Sequence, residues 1–232
     1  MLERTVPLSV WSAGSARIIG VVILLVLVSQ GAQAQSAVTA SPPMDTTSLG
    51  VGPYARMHTL LEKTIFKVDV LTVDVWLGEG DTRRLEEVAA GSGYSSQVAD
   101  SIAWIAIHSR DAYVRIEFVR DVSLDRFLGG VEGNLRLVPR AGIISEADYR
   151  EISNNLPRWF AFLGERGISK GDRILYRIRG DELRTRYVTV DGEILLDQTD
   201  LGASARLSVL GSYFLDGSEF RGGLIGSLFG GE

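Results

Sequence analysis

The stretch Phe66-Lys67-Val68-Asp69-Val70-Leu71-Thr72-Val73-Asp74-Val75 sets the tightest constraint on the fold. Phe66, Val68 and Val70 alternate with Lys67 and Asp69. Then the phase slips, and Leu71, Val73 and Val75 alternate with Thr72 and Asp74. Strand side chains alternate strictly between faces, so one unbroken strand would turn its apolar set over midway. One extra residue near Val70–Leu71, a β-bulge, restores a single apolar face and puts Lys67, Asp69, Thr72 and Asp74 together on the other. That polar row faces either bulk water or a cleft at the margin of the sheet.

The residues before this strand read as export machinery. Arg4 and Arg17 precede an apolar run, Ile18 to Val28, followed by Ala32-Gln33-Ala34, a small-x-small cleavage pattern. The layout is that of a signal peptide over residues 1–34; left uncleaved, the run would act as an anchor. Residues 35–52 are small, polar and proline-containing and read as a flexible leader. Residues 53–232 form one domain-sized unit, expected in the periplasm with no stable membrane insertion after cleavage. The chain has no cysteine, so neither a disulfide nor a lipid-modified cysteine supports it, and stability must come from a core. The formal charge is −5, and nucleic acid is not an expected partner.

Further elements follow from periodicity and caps. Asp81 or Thr82 is placed to cap a short helix through Val88, and Ser95–His108 carries Val98, Ile102, Ile105 and Ala106 on one helical stripe. Residues 113–119 alternate as a strand. Ser123 caps a helix whose stripe is Leu124, Phe127, Leu128, Val131 and Leu135, though Gly129, Gly130 and Gly133 each weaken it by roughly 1 kcal/mol. Ser145 and Asp148 form a capping box at the start of a long helix with Pro157 near its end. A meander of three strands follows, with Asp191-Gly192 as a two-residue hairpin signal. A last helix starts near Leu201. Strands and helices segregated in this way indicate an α+β fold, with an antiparallel sheet and a helical layer on one of its faces.

Motifs for common chemistries are scarce. The two histidines, His58 and His108, and the lack of cysteine argue against a His/Cys metal site, and no G-x-S-x-G elbow or phosphate loop is present. No cofactor is expected. Asp69 and Asp74 are aspartates in a strand, where this residue is disfavoured, and each needs a partner or an exposed face; Arg56 and Lys67 are candidates.

The ordered set "IFKVDVLTVDVWL", "RIEFVRDVS", "YREISNNLPRW", "KGDRILYRI", "VDGEIL" and "VLGSYFLDG" resembles the chalcone isomerase-like family, in its bacterial exported branch, over about residues 54–230. Residues 79–111 read as extra length. The resemblance implies an open-faced β-sandwich with a ligand cleft between sheet and helices. It implies ligand-binding positions at Arg56, in the segment before the first strand, and at Asp69, Tyr149, Asn155 and Ser212. Asp69 departs from the family's hydroxyl residue: an ionised carboxylate donates no hydrogen bond and would neutralise Arg56. The favoured expectation is therefore a non-catalytic domain that binds a small apolar or lipid-like ligand. The alternatives are a cofactor-independent intramolecular lyase of the chalcone isomerase type, with Arg56, Tyr149 and Ser212 as catalytic candidates, and an envelope scaffold.

Overall fold

The computed structural model describes residues 54–63, 68–90 and 93–230. The signal-peptide and leader readings lie outside the described residues, as does the side chain of Asp69.

Six strands pair in sequence order into one antiparallel sheet: β1 (Ala55–Lys63), β2 (Val68–Leu77), β3 (Asp111–Phe118), β4 (Arg173–Arg179), β5 (Glu182–Val188) and β6 (Ile194–Leu201). Helices lie on one face: α1 (Glu79–Ala89), α2 (Ser96–His108), α3 (Leu124–Leu135), α4 (Leu137–Arg140), α5 (Glu146–Trp159), α6 (Ala203–Phe214) and α7 (Arg221–Gly226). This is the expected α+β, open-faced arrangement.

The bulge is where the phase slip requires it. Leu61 pairs with Leu71 and Glu62 with Asp69, so Val70 is the unmatched residue. Val70 and Leu71 are both buried, and Leu71, Val73, Val75 and Leu77 then face the helices together. The bulged strand is the second of the sheet rather than the first, and Arg56 lies inside β1 rather than ahead of the sheet. Ser123 and Ser145 cap their helices as expected and Ser95 caps a third: they accept from the backbone N–H groups of Arg126, Asp148 and Val98. α1 begins earlier than expected, at Glu79 with Gly78 as its N-cap, so neither Asp81 nor Thr82 caps it. A Cβ on Gly78 would stand 2.2 Å from Asp111 Oδ2, so glycine permits the close approach of β3. The β5–β6 connection spans 189–193 and is not a two-residue turn. Thr189 N–H donates to the Glu193 carbonyl at 2.8 Å and Gly192 N–H to the Thr189 carbonyl at 2.9 Å.

The core lies between the sheet and the helices. A run of edge-on and tilted rings crosses it from β3 to β5, through Phe118, Phe127, Phe160, Phe162 and Tyr187, with centroids 5.0–6.0 Å apart. Tyr149 of α5 packs against the margin of this core. These rings pack between the sheet and the helices, the layer in which the resemblance implies a ligand cleft.

Candidate functional site

The other face of the sheet is built mainly from strand residues among those described. The register aligns two rows across it. One runs Arg56, Trp76, Tyr113, Arg177 and Arg184; the next runs His58, Asp74, Arg115, Leu175 and Arg186. A second, smaller apolar cluster sits among these cations: Tyr54, Trp76, Tyr113, Leu175 and Val188.

Asp74 is the electrostatic centre of the β1–β3 side. Its side chain is 1 % exposed. Oδ1 accepts from Arg56 Nε at 2.9 Å, from Arg56 Nη2 at 2.6 Å and from His58 Nδ1 at 2.8 Å. Oδ2 accepts from Arg115 Nε at 3.2 Å and Nη2 at 2.7 Å. An ionised carboxylate only accepts, so the His58 proton facing it is on Nδ1. Burial alone would raise the carboxyl pKa, but the bonds from His58, Arg115 and Arg56 outweigh it and hold Asp74 well below the usual carboxylate range. Both guanidiniums also lie over Trp76, 5.7 Å (Arg56) and 5.6 Å (Arg115) from its ring centroid. The Trp76 Nε1–H is buried without a hydrogen-bond partner among the described residues.

On the β4–β5 side the same face opens into a cleft of about 80 Å³ lined by Tyr113, Leu175, Arg177, Arg179, Glu182, Arg184 and Arg186. Arg177 and Arg184 stand directly opposite each other in the register, a like-charge placement that destabilises a sheet unless anions intervene. Asp111 pairs with Arg177 at 2.6 Å, and Asp197 of β6 takes Arg184 at 2.7 Å and Arg186 at 3.1 Å. The bonds from Arg184 hold the Asp197 carboxyl below its ordinary range.

The residues expected to line one site are not brought together. Arg56 is on the helix-free face, whereas Tyr149 packs on the helical side of the sheet. Asn155 Nδ2 donates to the Glu151 carbonyl of its own helix at 2.8 Å. Ser212 is fully buried in α6 and donates to the Ser208 carbonyl at 2.7 Å. The backbone of Asp69 pairs with Glu62 beside the bulge. The aspartate that neutralises Arg56 is Asp74, one of the two strand aspartates that needed a partner. Arg115, Arg177, Arg184 and Arg186 were missed, although the alternating pairs Arg177/Arg179 and Arg184/Arg186 in "RIRGDELRTR" each mark one strand face in the sequence itself.

Two other features have local explanations. In "KGD", Asp172 is a buried structural anchor: it accepts from Arg166 at 2.6 and 2.9 Å, from the Tyr187 hydroxyl at 2.6 Å, and from the Ser169 and Val190 N–H groups at 2.9 and 3.0 Å. The expected extra length, 79–111, supplies the α1–α2 pair. The open groove there is lined by Arg84, Val88, Trp104 and Ile105 among others. Arg84 and the exposed His108 both lie against the half-exposed Trp104 ring. Among the described residues no helix is long and apolar enough to cross a membrane.

No family model matches the sequence, and no curated protein matches it. Among solved structures the chain is similar to the crystal structure of a fatty-acid binding protein from Arabidopsis thaliana, at 15 % identity over 78 % of this chain and 89 % of that one, with a TM-score of 0.46.

Proposed function

We propose that the chain is an exported, non-catalytic binding protein for a small lipid-like molecule with an acidic group, and that the ligand lies on the helix-free face of the sheet. The observation that carries this reading is the Tyr54–Trp76–Tyr113–Leu175–Val188 cluster, an apolar floor surrounded by arginines of β1, β3, β4 and β5 on a chain that is acidic as a whole. Aromatic floor and guanidinium rim together suit an amphiphile: burial favours the chain and charge-assisted hydrogen bonds favour the head. The intramolecular-lyase alternative needs Arg56, Tyr149 and Ser212 around one substrate, and these three sit on different sides of the sheet or inside a helix.

The test is to purify the chain from the cell envelope without detergent and to examine it by native mass spectrometry and solvent extraction, followed by titration with laurate. A co-purifying amphiphile, or saturable laurate binding, supports the reading. A protein that is empty as isolated and shows no saturable binding of laurate overturns it and leaves the envelope-scaffold alternative. Envelope fractionation with N-terminal sequencing tests export: the mature chain is expected to begin just after Ala34.

A further inference from the structure

We propose that β6 is a docking edge for a second copy of this chain, the two β6 strands pairing antiparallel about a twofold axis perpendicular to the sheet. This dimer does not depend on the binding reading above. The two edges of the sheet, β1 and β6, are covered differently. The β1 edge meets the C-terminal segment, where the His58 N–H donates to Ser227 Oγ at 3.0 Å. β6 pairs with β5, and among the described residues no further strand follows it. Its sequence, ILLDQTDL, contains neither proline nor lysine, residues that commonly guard a free edge. Five large hydrophobic side chains stand exposed among the described residues, and three of them are here: Val190 in the turn before β6, Ile194 at its start and Leu201 at its end.

Those side chains suit self-pairing. β6 carries one extra residue, Leu195, because Val188 pairs with Ile194 and Tyr187 with Leu196. Ile194, paired with Val188, and Leu201, paired with Glu182, therefore share the helix-free face. An antiparallel pair sets the start of one strand beside the end of the other, so each Ile194 meets Leu201 of the second copy on that face. With Leu195 set aside as the bulge, the same register puts Asp197 opposite Thr199, Leu196 opposite Asp200 and Gln198 opposite itself at the axis. No carboxylate then faces a carboxylate. Both acids of the strand are also engaged within their own chain: Asp197 accepts from Arg184 Nε at 2.7 Å and Arg186 Nε at 3.1 Å, and Asp200 from Gln198 Nε2 at 3.0 Å. Such a contact is isologous and closes at two copies. It continues the sheet across the axis and keeps both helix-free faces on one side.

The experiment is sedimentation equilibrium of the chain as isolated from the envelope without detergent, up to about 100 µM, because one strand pair is a small interface with a Kd expected in roughly the micromolar range. Twice the monomer mass at the upper concentrations supports the dimer, and a monomer throughout overturns it. Ile194→Lys should weaken association about tenfold or more, since it sets a charge against Leu201 of the second copy on both sides of the axis. Leu201→Lys should act likewise, and circular dichroism checks that both variants fold. Cross-linking reads the register, in a chain that has no cysteine of its own to interfere. Ile194→Cys/Leu201→Cys should give a disulfide-linked dimer when oxidised with copper phenanthroline. Ile194→Cys alone should not, because its two copies lie about 20 Å apart along the paired strands. A dimer indifferent to both lysine variants, or a cross-link formed as readily by Ile194→Cys alone, overturns the β6 pairing.

Discussion

Replacing Asp74 by alanine removes the one carboxylate that receives five hydrogen bonds from Arg56, His58 and Arg115. What remains is two guanidiniums facing the same vacated spot, with 28 % and 25 % of their side chains exposed, and a mostly buried imidazole. Breaking a buried ion pair from one side costs about 3–5 kcal/mol, chiefly because the partner charges are left behind. Here the arginines retain some water and keep the Trp76 ring beneath them, so about 3 kcal/mol is expected. Asparagine should be no better. It offers one acceptor and one N–H₂ group, and that amide must face a guanidinium, donor against donor. The assay is urea unfolding with linear extrapolation, and for a domain of this size the thermal midpoint should fall by about 6–12 °C. The acid limb carries the same signature. The folded carboxyl sits below its unfolded value, so its contribution is fully present above the ordinary carboxylate range, near pH 4, and is lost as pH falls beneath it. Asp74→Ala should therefore flatten the stability profile below about pH 4. A cost under about 1 kcal/mol, or an asparagine variant clearly milder than alanine, would refute the claim that charge organises this face.

Asp172→Asn should cost about as much as Asp74→Ala or more, roughly 3–5 kcal/mol, because the carboxylate is fully enclosed and its variant turns an amide toward Arg166, Tyr187 or two backbone donors. Tyr187→Phe in the same network removes one of those bonds and should cost about 1–2 kcal/mol by denaturant unfolding. Gly171→Ala should lower stability by about 1–2 kcal/mol, since Gly171 has φ +87° and a Cβ there would meet Val190 Cγ2 at 2.8 Å; an unchanged thermal midpoint would contradict that. Ser212→Ala should move stability by less than about 1 kcal/mol and leave laurate titration unaltered, because its hydroxyl serves only a carbonyl of its own helix in the hydrogen bonds seen here.

The local rules written into this sequence are those that act within a few residues. The phase slip at Val70, the serine caps at positions 123 and 145, and the α2 stripe all concern neighbours one to four positions apart, and each is found where periodicity puts it. β1 escaped because its alternation is impure: Thr59 is buried on the helix side while Leu60 takes the opposite face, so polarity and orientation disagree. The site escaped for a different reason. Asp74 meets Arg115 from 41 positions away, and only the β2–β3 register makes them neighbours. Whether the helical side encloses a hollow depends on summed side-chain volumes across five aromatic rings, which no single stretch of sequence reports. The arginine alternation across β4 and β5 was legible, yet it reads as an ordinary solvated strand face until β6 supplies Asp197 opposite Arg186.

The chemistry of arginine explains how this helix-free face stays covered. The chain has three lysines, Lys63, Lys67 and Lys170, and every other basic residue among its 24 is arginine. A lysine at position 115 would offer Asp74 a point charge at the end of a flexible stem. The guanidinium instead sends Nε and Nη2 to one oxygen of Asp74 while its plane lies over Trp76, so a polar and an apolar partner are satisfied by one rigid group. Arg56 does the same from the other side. The aromatic floor is thus covered by cations rather than exposed to water, which keeps Trp76 at 2 % exposure on a sheet face with no helices. The bulge at Val70 makes this possible, because without the extra residue β2 would turn Asp74 and Trp76 toward the helices and Val73 and Val75 toward the arginines.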